Sequence, residues 1–142
     1  MTEPLYTRDI LRLAASLVPF EALSRTDGEA EVRSVTCGSR LRLAVMVADG
    51  RVSEMAQAVE ACAFGQASAA LMIAGATGRD LGEARAALMG VEAWLGGDDA
   101  AAASWPGLGA LAPARSRTGR HGAMLLPFRA LVAALEDAAR LA

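Results

Sequence analysis

RLRLAVMVADGRVSEMAQAV, residues 40–59, is the stretch that decides the fold. Leu41, Leu43, Val45 and Val47 fall on every second position, with Arg40 and Arg42 between the first of them. That period belongs to a strand with one buried face and one wet face. Asp49-Gly50 follows between apolar runs. Both residue types tolerate the positive φ that a two-residue hairpin turn requires. Val52 to Val59 is then the returning strand, although its alternation is poorer.

Upstream, Glu31 to Thr36 is short and rich in β-branched side chains, which predicts another strand. Arg25-Thr26-Asp27-Gly28 before it is turn chemistry. Earlier still, Ile10, Leu13, Ala14, Leu17 and Val18 recur at helical spacing and predict a helix from about Thr7 to Val18, stopped by Pro19. Downstream, Phe64 to Ala74 lacks polar punctuation and reads as a central helix broken by Gly75-Ala76-Thr77-Gly78. Asp80, with Glu83 three residues on, resembles a capping box opening a helix with Ala84, Ala87 and Leu88 on its inner face. Val91 to Leu95 reads as a short apolar piece, and Gly96 to Pro113, rich in Gly, Asp, Ala and Pro, as a loose connection. A last helix carrying Leu125, Leu131, Val132 and Leu135 is expected to begin near Pro127 or one turn earlier. Helix, meander and then helices define an α+β fold: a small three-stranded antiparallel sheet packed on one face by helices.

Length suits a single domain over residues 1–142 with a sizeable core. Hydrophobic residues make up 54% but aromatics only 4%, so alanine carries the apolar content and the helices are expected to pack closely. The net charge is -2, every basic residue is Arg, and no concentrated basic face is apparent, which argues against a nucleic-acid binder. Ala61 to Ala76 is the most membrane-like run, yet Gln66, Ser68 and two glycines interrupt it, and it falls short of the roughly 20 residues of a span. The opening Met1-Thr2-Glu3-Pro4 lacks a basic stretch followed by an apolar run. Two cysteines are too few for a disulfide framework, so the reading is a cytoplasmic chain whose Cys37 and Cys62 are free thiols or metal ligands. Without a supported Ser-His-Asp order, a phosphate-cradling loop or a paired-carboxylate signature, the chain is not expected to be an enzyme.

Three stretches line up with one family. Thr36-Cys37-Gly38-Ser39, between two strands, resembles a Cys-Gly-Asp motif. The segment Ala61-Cys62-Ala63-Phe64-Gly65-Gln66-Ala67-Ser68-Ala69 resembles a cysteine at a helix start followed by small residues, and Thr77-Gly78-Arg79-Asp80-Leu81-Gly82-Glu83-Ala84 is similar to a G-(K/R)-S-L-x-E-A helix start. The order and spacing are those of the U-type iron–sulfur cluster assembly scaffolds (IscU, SufU and the NifU N-terminal domain), which this chain resembles over about residues 5 to 95 as a divergent member. Arg120-His121-Gly122-Ala123 stands where that family places a further ligand pair before the last helix. There His121 matches the histidine, and Gly122 replaces the cysteine, as Ser39 replaces the aspartate of the first motif.

The resemblance implies a scaffold that binds iron and sulfide, or persulfide, through Cys37 and Cys62 with His121 assisting, and passes a cluster to apo-proteins. The soft thiolates suit iron or zinc, so a [2Fe-2S] cluster or Zn2+ is the expected occupant. A thiol at a helix start also faces unpaired N–H groups and the positive end of the dipole. Three donors leave a fourth position for Ser39, Glu60, a water or thiol, or another subunit. Implied partners are a cysteine desulfurase and apo iron–sulfur proteins, with Arg115, Arg117 and Arg120 as a docking run. Two further readings stay open. One is a paralogue acting as a protein-interaction or zinc-binding module, and the other a sulfur carrier using Cys62 alone. Trp94 and Trp105 read as packing residues.

Overall fold

A computed structural model describes residues 7–17, 20–34 and 38–142 of the chain. The meander is β1 (Gly28–Arg33), β2 (Arg40–Ala48) and β3 (Arg51–Glu60), antiparallel in the order β1-β2-β3. Asp49 and Gly50 both take positive φ, 54° and 75°, and so form the two-residue turn that the sequence signalled.

Register explains the weak alternation of the returning strand. Val45 faces Met55 and Met46 faces Glu54, but Val47 faces Val52, so Ser53 is the extra residue of a bulge. Its hydroxyl donates to the Met46 carbonyl at 3.0 Å. The bulge switches parity, so Val52 shares a face with Met55, Gln57 and Val59 rather than with Ala56. That face also carries Leu41, Leu43 and Val45, all nearly inaccessible.

The helices are α1 (Arg8–Ala15), α2 (Ala63–Ala76), α3 (Leu81–Leu95) and α4 (His121–Leu141). Of these, α2 and α4 lie on this face, with α1 packed on α2 and α3 on α4. Gln57 donates to the Ala69 carbonyl of α2. A Cβ on Gly28 would lie 2.3 Å from the Ala134 carbonyl oxygen of α4, so Gly28 is a strand residue kept small by a helix backbone rather than a turn residue. The opposite face is partly roofed by residues 20–26, where Phe20 stacks under Arg42 and Ser24 reaches Met46.

Several boundaries differ from expectation. β1 begins at Gly28, and α1 ends at Ala15, while Val18 and Pro19 lie outside the described residues. α2 runs through Gly75 to Ala76, and Val91 to Leu95 continues α3. The expected capping box is present, with Asp80 accepting from the Glu83 N–H at 2.8 Å.

The larger corrections lie beyond α3. Residues 96–113 are no loose connection, because 3-10 turns at Asp99–Ser104 and Leu108–Ala114 bury Trp105, Leu108, Leu111 and Ala114. Trp105 donates to the Leu71 carbonyl at 2.7 Å, meets Phe128 edge-on with centroids 5.1 Å apart, and carries the Arg79 guanidinium on its ring. Short 3-10 turns have no 3.6-residue period, so their apolar residues leave no pattern to read. α4 begins at His121, six residues before Pro127, which lies inside it. The missing N–H of Pro127 leaves the Ala123 carbonyl without its helical donor.

Candidate metal centre

The three strands end level. Arg40 pairs with Arg33 on one side and with Glu60 on the other. Beyond that line the β1–β2 connection is closed by the Ser34 N–H donating to the Ser39 carbonyl at 2.8 Å and the Gly38 N–H donating to the Ser34 carbonyl at 3.1 Å. Gly38 has φ +72° with open space around its missing Cβ, so conformation rather than crowding selects glycine. Cys37, the residue before it, lies outside the described residues. At the same end of the sheet, two residues past Glu60, Cys62 is the N-cap of α2. It is half-buried, in extended backbone (φ -66°, ψ 171°), and its side chain makes no capping hydrogen bond.

A glycine brings the second helix start to this point. A Cβ on Gly65 would lie 2.7 Å from the Ala61 Cβ and 3.4 Å from both the Cβ and the carbonyl oxygen of Ala123. The start of α2 and the start of α4 therefore touch, and Ser68 locks them by donating to the Met124 carbonyl at 2.5 Å. His121, two residues before Ala123, is half-buried at the head of α4. Its Nε2 is 2.7 Å from the Arg115 carbonyl oxygen. A carbonyl only accepts, so Nε2 carries the proton and Nδ1 of the neutral ring keeps the lone pair.

The remaining candidates divide. Glu60 forms a two-pronged pair with Arg40, both contacts 2.8 Å, and this pairing holds its carboxyl below the usual carboxylate range. As a metal ligand it would have to leave that partner. Ser39 is buried in the turn. Of the three arginines read as a docking run, Arg117 is exposed and Arg120 half-buried, whereas Arg115 turns inward. Its Nε donates to the Trp94 carbonyl at 2.8 Å, Nη1 pairs with Asp99 at 2.6 Å, and the guanidinium lies over the Trp94 ring. Sequence reasoning missed this clamp, because nothing ties positions 94, 99 and 115 together before the fold is known. Gly65 carries no local signal of its contact with α4, since in sequence it is one small residue among several.

Among the described residues, no three His, Cys, Asp or Glu side chains cluster at metal-binding distance. What the described part offers is one thiol and one imidazole at adjoining helix starts, at the sheet end where Ser34, Gly38 and Ser39 bond to one another. Sulfur with imidazole fits a borderline-soft ion or an iron–sulfur cluster and suits Mg2+ or Ca2+ poorly. No helix among the described residues is long and apolar enough to cross a membrane.

A NifU-like N-terminal domain protein from Brucella abortus superposes with a TM-score of 0.84 at 29% identity, covering 97% of this chain and 96% of that one. A putative iron-sulfur cluster assembly scaffold protein for the SUF system from Fervidobacterium islandicum AW-1 superposes with a TM-score of 0.82 at 20% identity, covering 92% and 96%. Among curated proteins none matches. The family described as the NifU-like N terminal domain matches residues 16–104, well over half of the sequence and including both cysteine motifs, and the chain belongs to that family.

Proposed function

We propose that this chain is a cytoplasmic, non-enzymatic iron–sulfur assembly scaffold whose cargo is iron and sulfide, held by Cys37 and Cys62 with His121 and then passed to apo-proteins. A cysteine desulfurase is the sulfur donor in this reading. The observation that carries it is the meeting of α2 and α4 at Gly65 and Ala123, which supports Cys62 and His121 serving one centre at the sheet end where Gly38 bonds back to Ser34. Family membership and the scaffold named among the structural neighbours support the same chemistry.

A set of three donors leaves one coordination position open. An open position suits a carrier that must release its cargo, and in the alternative, zinc-binding reading it takes water. Anaerobic reconstitution with ferrous iron and sulfide distinguishes the two by visible absorption and metal analysis. The scaffold reading expects a coloured protein whose absorption disappears in Cys37→Ser and in Cys62→Ser. A wild-type protein that stays colourless, with iron below stoichiometry, overturns it.

A further inference from the structure

Arg115 occupies an unusual position. Its guanidinium is anchored at the C-terminal end of α3 by the Trp94 carbonyl, the Trp94 ring 4.6 Å away and the Asp99 carboxylate, while its own carbonyl oxygen receives the His121 Nε2–H. Its Nη2 is buried with no hydrogen-bond partner. A buried donor left unmade costs about 1–3 kcal/mol, and stacking on indole returns only part of that. The bonds to the Trp94 carbonyl and the Asp99 carboxylate offset that cost and hold the guanidinium in place.

What the arginine does is fix a carbonyl. Between it and the histidine, the chain runs through short backbone bonds, from the Arg117 N–H to the Ala114 carbonyl at 3.0 Å and from the Arg120 N–H to the Arg117 carbonyl at 2.8 Å. The imidazole closes that loop onto Arg115. We propose that Arg115, held by Trp94 and Asp99, is the positioning residue that locks the His121 proton on Nε2 and so presents Nδ1 as the metal-binding nitrogen. This inference rests on the reading of His121 as a ligand. A ligating histidine whose second nitrogen donates to a backbone carbonyl has its ring and tautomer fixed by that outer contact, and loss of such a contact costs about 10–100-fold in metal affinity.

The chain contains a single histidine, so imidazole-15N labelling gives one spin system. Long-range 1H–15N correlation of the metal-free protein is expected to show one tautomer, protonated at Nε2, with that proton protected from exchange. Arg115→Met keeps the aliphatic stem but removes the fork, and should mix the tautomers and lose the protected proton. Asp99→Ala, at an exposed carboxylate that leaves the fold intact, should do so in part. Zn2+ titration should then show binding to Arg115→Met weakened about 10–100-fold, with Nδ1 shifted on binding in the wild type. Mixed tautomers in the wild type, or an unchanged spectrum in a folded Arg115→Met, overturn the positioning role even if zinc binds. A tautomer that depends on Arg115 in a protein that binds no zinc sustains the positioning and instead refutes His121 as a ligand.

Discussion

Cys62→Asp should make the protein more stable and useless as a scaffold. At the head of α3, Asp80 occupies the N-cap and accepts from the Glu83 N–H at 2.8 Å. Cys62 holds the equivalent place at the head of α2, in the same extended backbone, with no side-chain cap bond and no acidic residue in the first turn. Replacing a non-capping residue by Asp is worth about 0.5–2 kcal/mol. Interaction of the carboxylate with the dipole adds about 0.3–1 kcal/mol. Partial desolvation at a half-buried site takes some of this back, so the expected net gain is about 1 kcal/mol. For a chain of this length that corresponds to an increase in Tm of roughly 2–4 °C. Urea denaturation of the metal-free protein measures the gain, and reconstitution with iron and sulfide measures the loss. A neutral or destabilising effect in the metal-free protein would refute the idea that the start of α2 forgoes stability to display a thiol.

Gly65→Ala should lower stability by about 1 kcal/mol, because a Cβ 2.7 Å from Ala61 overpacks the helix junction by about 1–3 kcal/mol, against a helix-propensity gain of about 1 kcal/mol. Gly82→Ala, whose Cβ meets only Asp80 Oδ1 at 3.5 Å, should instead gain about 0.5–1 kcal/mol, and equal urea midpoints for the two variants would contradict the crowding of Gly65 by Ala61 and Ala123. Trp105→Phe keeps the aromatic packing but drops the bond to Leu71, for an expected loss of about 0.5–1.5 kcal/mol by chemical denaturation. Asp27 has its carboxyl held below the usual range by the Val47 N–H and then by Arg25, so its contribution is complete above the unfolded value near 3.9 and is lost as pH falls through the lower folded value. Asp27→Asn should accordingly flatten the acid limb of the urea midpoint against pH below about pH 4, and parallel curves for variant and wild type would remove Asp27 from the account.

The parts legible in sequence are those in which a local pattern and the tertiary environment agree. β2 announces itself because Leu41, Leu43 and Val45 are buried on one face, and the hairpin because Asp49 and Gly50 take the positive φ their identities permit. The same logic exposes the head of α3 through Asp80 and Glu83. Elsewhere tertiary packing overrides local signals. Gly28 looks like a turn residue but is small because α4 crosses it, and the helix expected to begin near Pro127 or one turn earlier begins at His121, with Pro127 inside it. Trp105 anchors a segment whose composition reads as linker. For the candidate site, the identities of Cys62 and His121 are visible one by one. Their adjacency depends on Gly65 meeting Ala123, some sixty residues away in the chain, and no local period encodes that.

The distribution of helix caps ties these observations to the proposed chemistry. α1 and α3 are each closed at the N-terminus by a side chain, Thr7 and Asp80, with an acid in the first turn. The two helices that meet at the sheet end, α2 and α4, have neither a capping side chain nor an acid in the first turn. The N–H groups at the head of α2, which no side chain caps, and the positive dipole ends of both helices therefore lie where Cys62 and His121 stand, while the His121 N–H itself is met by the Thr118 carbonyl. Permanent carboxylate caps there would supply the negative charge from within the chain and compete with an anionic cargo for the same N–H groups. In the proposed scaffold, a helix start left open would take its negative charge from bound sulfide cargo instead. On that proposal, loading would be coupled to stabilisation of the α2 start, a physical reason for a carrier to accept cargo without enclosing it.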